Sequence, residues 1–150
     1  MIFKAEERHL NIVKEITQQT ISEIYPHYYP TGAVDFFKNH HNDSNIFSDI
    51  KDGIVFLMKD KDEFVGTVTI RKNEICRLFV LPKFQHKGYG KKLMDFAEND
   101  ISNNYEEIVL DASMSAKKIY KNRGYTEIEY NQIITENGDV LCYDVMKKER

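Results

Sequence analysis

The spacing of apolar residues changes from segment to segment along the chain, and the changes mark out elements. Met1 to Ala5 reads as a short strand. From about Glu7 to Ile24 the apolar side follows Leu10, Ile12, Val13, Ile16, Thr20, Ile21 and Ile24, with charges between, which predicts an amphipathic helix. Tyr25-Pro26-His27-Tyr28-Tyr29-Pro30 ends it, because proline cannot continue a helix and the residue before it avoids the α region. A shorter helix is predicted over Ala33 to Asn39, and Asn42-Asp43-Ser44-Asn45 reads as loop.

Periodicity then shortens. Ile54–Met58, Phe64–Ile70 and Glu74–Val80, joined by polar turns, predict an antiparallel meander closed by Pro82. A helix follows Gly90 to about Asn104, with Leu93, Met94, Phe96, Ala97 and Ile101 on its apolar side. Ile108-Val109-Leu110 predicts a strand buried on both faces. A helix over Ser115 to Asn122 stops at Gly124, and strands Tyr125–Ile134 and Val140–Met146 meet through Asn137-Gly138, a strong hairpin signal. The expected fold is a mixed α/β sheet, antiparallel in front, with one strand–helix–strand crossover and about four helices.

Composition narrows the function classes. The 150 residues suit one domain over 1–150. A net charge of −3 gives no general basic field for nucleic acid or an anionic membrane. No apolar run reaches the roughly 18 residues of a membrane span. The acidic start, Glu6-Glu7, does not suit a signal peptide. Two cysteines, Cys76 and Cys142, do not make a disulfide scaffold, so a reduced cytoplasmic setting is expected. His40-His41 near Asp43 fits no zinc spacing, and no metal is expected.

The chemistry concentrates in Val80-Leu81-Pro82-Lys83-Phe84-Gln85-His86-Lys87-Gly88-Tyr89-Gly90-Lys91-Lys92. A strand end passes through a polar loop into glycines that open a helix. Helix-terminal amides lack partners within the helix and carry partial positive charge, and glycine lets an anion approach the backbone. His86, Lys87, Lys91 and Lys92 add local basicity, so phosphate is the natural ligand. The residues after Gly90 are Lys91-Lys92, which excludes a P-loop, and two glycines after a meander do not make a dinucleotide fingerprint.

Gln85-His86-Lys87-Gly88-Tyr89-Gly90 resembles the Gln/Arg-x-x-Gly-x-Gly/Ala signature of the GNAT superfamily of acyl-CoA-dependent N-acyltransferases. Arg77-Leu78-Phe79-Val80 looks like that family's fourth strand. The run Ala116 to Tyr125 is similar to its pattern Ala-x-x-hydrophobic-Tyr-x-x-x-Gly-aromatic. The likeness covers essentially the whole chain. It implies a twisted, mostly antiparallel sheet splayed between strands four and five, with acetyl-CoA in the cleft. Backbone groups at Phe79 and Val80 would pair with the pantetheine arm. Amides of His86, Lys87, Gly88, Tyr89, Gly90 and Lys91 would hold the pyrophosphate, with Gln85 bracing the loop. Ser113 stands where relatives often carry an asparagine that contacts the arm or a catalytic water.

Acyl transfer to an amine needs a proton removed from an ammonium, with a pKa near 10.4, and a proton or hydrogen bond for the departing thiolate. The resemblance places Tyr120 at the thiolate; packing on its helix face is the alternative. Glu74 is the candidate base, or else a solvent-facing acid at a strand end. Tyr25, His27, Tyr28 and Tyr29 form a candidate acceptor wall, through hydrogen bonds or a cation–π face, unless the rings only pack on the sheet. The expected activity is N-acetyl transfer from acetyl-CoA to a primary amine, on a small molecule or a peptide, by direct attack. A non-catalytic acyl-CoA-binding module is the rival. No nucleic-acid or membrane partner is expected, and the family's frequent dimerisation leaves a homodimer open.

Overall fold

The computed structural model describes residues 1–150. Seven strands form one sheet in the order β1-β2-β3-β4-β5-β7-β6. They are β1 (Ile2–Lys4), β2 (Val55–Asp60), β3 (Glu63–Arg71), β4 (Glu74–Val80), β5 (Glu107–Ala112), β6 (Thr126–Ile134) and β7 (Val140–Glu149). All neighbours run antiparallel except β4 and β5. The parallel pair needs a crossover, and α4 (Tyr89–Ser102) supplies it. The predicted mixed sheet is therefore the observed one.

The helices divide between the faces. On one side α1 (Leu10–Ile24), α2 (Thr31–His40) and α3 (Asp43–Lys51) pack Val13, Ile16, Ile21, Val34, Ile46 and Ile50 onto Val55, Leu57, Phe79 and Leu141. On the other, α4 brings Leu93, Met94, Ala97 and Ile101 onto Val65, Val68, Ile75, Val80, Ile108 and Leu110. The short α5 (Lys117–Asn122) sends Tyr120 toward that second core. Burying each such aliphatic side chain contributes roughly 1.5–3 kcal/mol, which makes the two layers the main source of stability.

Helix α3 corrects the sequence reading, in which Asn42 to Asn45 is loop. The Asn42 side chain accepts the Asn45 amide at 2.9 Å and caps α3. The same polar chemistry that favours loops also starts helices, and here Ile46 and Ile50 reward the second outcome with full burial. The helices thus number five.

A bulge in β4 decides the site. Thr69 pairs with Arg77 and Ile70 with Ile75, so Cys76 is the extra residue. Strict alternation would put Ile75, Arg77 and Phe79 on one face. Instead Ile75 joins the α4 core, whereas Phe79 joins the α1–α3 core and Arg77 bonds to α3. Cys76 and Cys142 lie on strands separated by β5, both free and half-buried rather than core residues.

Candidate functional site

Past the bulge, β4 and β5 part. They pair only at Glu74–Val109 and Ile75–Leu110. The outer half of β4 turns away with β3, and a cleft of about 420 Å³ opens between the strands. Leu78, Phe79 and Val80 line one wall and Ser113, Ala116 and Tyr120 the other.

At one end the cleft meets the glycine loop. Gln85 lines it and donates through Nε2 to the Val80 carbonyl at 3.0 Å, tying the loop to the strand end. His86 and Gly88 adopt left-handed backbone, with φ of 64° and 89°. A Cβ at Gly88 would meet nothing within 4 Å, so glycine serves the turn there and not the space. The turn aims a run of amides outward. Gln85 still gives its amide to Pro82 and Lys92 gives its own to Gly88, but none of the six amides from His86 to Lys91 has a protein acceptor. Six adjacent unpartnered N–H groups at the N-terminus of a 14-residue helix form a cradle for an anion. The side chains of Lys87, Tyr89 and Lys91 stand outside the cleft. Lys87 lies over the Phe84 ring, Tyr89 bonds to Asp60, and Lys91 pairs with Asp95 at 2.8 Å.

Tyr120 projects from α5 into the cleft, and its hydroxyl has no protein partner. Burial pushes the phenol up to about 12, so it stays protonated. The α5 segment is braced to α4: Arg123 reaches Asp95 and Glu98, each at 2.7 Å, and Tyr125 donates to Glu98 at 2.9 Å. Ser113 lines the same wall, with its Oγ 2.9 Å from that of Ser115.

The Tyr25–Pro30 segment divides. Tyr25 is buried and lines the cleft; burial raises its phenol, and the nearby Ser113 hydroxyl partly offsets the shift. Tyr29 is buried but does not line the cleft. Its hydroxyl accepts the Met114 amide at 2.7 Å and donates to the Cys142 carbonyl at 3.4 Å, pinning the helical layer to the β5–α5 loop. His27 and Tyr28 are exposed and do not line it either.

Carboxylates gather at the other end. Asp111 lines the cleft, and its carboxyl is raised from the ordinary value by partial desolvation and by Glu129, against a lowering from His40. Glu74 lies beside Asp111 but does not line the cleft. Its carboxyl is raised by burial first and then by the charge of Asp111. Sequence reasoning missed Asp111 because an acid within a strand pattern reads as surface, and the parting of β4 from β5 exposes it to the cleft.

No group of three or more His, Cys, Asp or Glu side chains is placed to hold a metal. No helix is long and apolar enough to cross a membrane.

These features define an acyltransferase fold with an anion cradle at one end of an interstrand cleft. The profile of the Acetyltransferase (GNAT) domain matches residues 13–147, and the chain belongs to that family. Among solved structures, a GCN5-related N-acetyltransferase from Rhodopseudomonas palustris superposes with a TM-score of 0.91 at 17% identity, over 100% of this chain and 95% of that one. PaiA N-acetyltransferase from Thermoplasma acidophilum, in complex with coenzyme A, gives 0.78 at 18% identity over 100% and 98%. YncA from Salmonella typhimurium, a putative acetyltransferase with acetyl-CoA, gives 0.75 at 12% over 99% and 92%. A comparison with curated protein sequences finds no significant match.

Proposed function

We propose that the chain transfers the acetyl group of acetyl-CoA to a primary amine by direct attack, both substrates being held in the one cleft. The observation that carries this reading is the run of six unpartnered amides from His86 to Lys91, opening onto a cleft that holds the free hydroxyl of Tyr120. Those amides suit the pyrophosphate, and the edge of β4 that loses its β5 partner past Ile75, the run to Phe79 and Val80, suits the amides of the pantetheine arm. Ser113, though shorter than asparagine, offers a donor and acceptor on the facing wall. Bound there, acetyl-CoA supplies a thioester carbonyl as electrophile and a thiolate as leaving group.

The residues of the chain manage the protons. Tyr120, protonated throughout the neutral range, donates to the departing sulfur. Asp111 takes a proton from the bound ammonium, directly or through water, and frees the nitrogen lone pair that attacks the thioester carbonyl. Its raised pKa makes it a better acceptor than an ordinary carboxylate, and Glu74, whose own carboxyl is raised by burial and by the Asp111 charge, lies beside it. Tyr25, which lines the cleft, takes the acceptor-wall role, and Tyr29 packs against its ring from behind with centroids 5.7 Å apart; His27 and Tyr28 take no part.

The two substrates enter from opposite faces. The amide cradle and Tyr120 belong to the α4–α5 side, while Tyr25, Phe36, Phe37 and Tyr143 belong to the α1–α3 side. The amine therefore approaches from the α1–α3 side.

Thiol release from acetyl-CoA, measured with a panel of primary amines, tests the reading. Amine-dependent release with formation of the acetylated amine is expected. Tight acetyl-CoA binding with no turnover on any amine would instead identify a binding module.

A further inference from the structure

The α1–α3 wall of the cleft contains a polar assembly that proton transfer does not use. Arg77 is 5% exposed, and each of its three guanidinium nitrogens donates one hydrogen bond. Nη2 gives to Asp49 Oδ2 at 3.1 Å, Nη1 to Thr69 Oγ1 at 3.0 Å, and Nε to His41 Nδ1 at 3.2 Å. Arg71 pairs with the other oxygen of Asp49 and completes the frame. Arginine can only donate, so His41 Nδ1 must be the accepting nitrogen and the ring proton must sit on Nε2. The ring is held by more than that bond. It is 8% exposed, stands edge-on to Phe79 with centroids 5.7 Å apart, and packs against His40 at 4.9 Å. His41 nevertheless lines the cleft, and its Nε2–H has no partner in the protein. Burial and the charge of Arg77 push the imidazole down to about 3, so the ring stays neutral and cannot act as a proton donor with a positive charge.

An N–H at the wall of a cleft that no protein group accepts is open to a ligand oxygen, and a matched acceptor there gains over one that lacks the oxygen. We propose that His41 is a specificity-determining residue whose Nε2–H, fixed in one tautomer by Arg77, donates a hydrogen bond to an sp² oxygen of the amine substrate. The inference rests on the acetyltransferase reading above and names the substrate class. The acceptor is an amine that carries a carbonyl or carboxylate oxygen near its nitrogen, as an amino acid, an amino-acid amide or a peptide N-terminus does. Asp111 then faces the ammonium and His41 the oxygen, so the cleft reads both ends of one small unit. A plain alkyl diamine offers a second cation and no oxygen, and would leave the Nε2–H unpaired.

Initial rates with a matched acceptor set test this: an α-amino acid, its amide, and an alkylamine of equal length lacking the oxygen. The readout is the ratio of kcat/KM for each oxygen-bearing amine over the alkylamine. The wild-type ratio should be about tenfold or more, the size of one hydrogen bond from a desolvated donor. His41→Phe should bring it close to one, and His41→Gln, whose amide nitrogen can replace Nε2, should recover part of it. The acid and its amide separate the two oxygen sources, since preference for the acid alone identifies a carboxylate and equal use of both a carbonyl. Nitrogen-15 NMR of histidine-labelled wild-type protein is the second measurement. It should show His41 protonated on Nε2 alone at neutral pH, with that resonance shifting when the preferred amine is added. Turnover of alkylamines as fast as oxygen-bearing ones, a ratio unmoved by His41→Phe, or a His41 resonance protonated on Nδ1 would each overturn the inference while leaving the acetyltransferase intact. Absence of turnover on every amine would overturn the underlying activity instead.

Discussion

Tyr120 and Asp111 both line the cleft, and their environments push both pKa values upward with opposite consequences. For a phenol the shift to about 12 secures the proton it must give. Tyr120→Phe should therefore lower kcat at saturating acetyl-CoA by about 10²-fold, the lower range for a general acid, with little change in the KM for acetyl-CoA. For a carboxylate the upward shift makes a stronger base but costs stability. The folded protein holds the Asp111 proton more tightly than the unfolded chain does, so stability falls as pH rises from the ordinary value of 3.8 through the folded one. Asp111→Asn should raise Tm at pH 7, and the gain should vanish once both states are protonated below that ordinary value. The same variant should lose the acidic limb of the kcat profile, which in the wild type is expected above the ordinary aspartate value. A stabilised variant that kept this limb would remove Asp111 from proton transfer.

Among the elements, the glycine turn and the α3 cap each rest on a single residue. Gly88→Ala places a side chain at φ 89° with open space around it, so the cost is backbone strain alone, about 1–2 kcal/mol. Chemical denaturation should show that loss, and coenzyme A affinity should fall with it because the amides are no longer aligned. Asn42→Ala removes the bond to the Asn45 amide and should cost about 1 kcal/mol, or roughly 2–4 °C in Tm, without altering coenzyme A affinity. The turn was legible in the sequence because its signal is local: glycines, a strand before and a helix after. The cap was misread because Asn42-Asp43-Ser44-Asn45 is compatible with loop and helix start alike, and only burial of Ile46 and Ile50 decides between them. His41 was obscured for a related reason. Next to His40 at a helix end it resembles a solvated pair, and the Arg77 that gives it a role lies 36 residues away on a strand whose facing depends on a bulge at Cys76. Tyr29 shows the converse, an aromatic in a pocket-like segment whose hydroxyl is occupied by Met114 and Cys142 backbone groups.

Across the whole molecule, one break in one strand organises everything else. The bulge at Cys76 turns the outer half of β4 away from β5, opens the cleft through the sheet, and lets it reach both helical layers. The net charge of −3 is consistent with that division of labour. In the proposed reading, backbone amides at the α4 terminus attract the anion, leaving side-chain carboxylates free to attract an amine at the other end. Arg123 braces α5 to α4 and Tyr29 pins the opposite layer to the β5–α5 loop, so both walls are fixed before either substrate arrives. The central claim is that coenzyme A binds through the amides from His86 to Lys91. Titration of nitrogen-15-labelled protein with coenzyme A, followed by amide NMR, tests it most directly. The account predicts that those six amides move together and farthest, with saturable shifts toward lower field. Binding that leaves them still while perturbing another surface, or no binding at all, would contradict it.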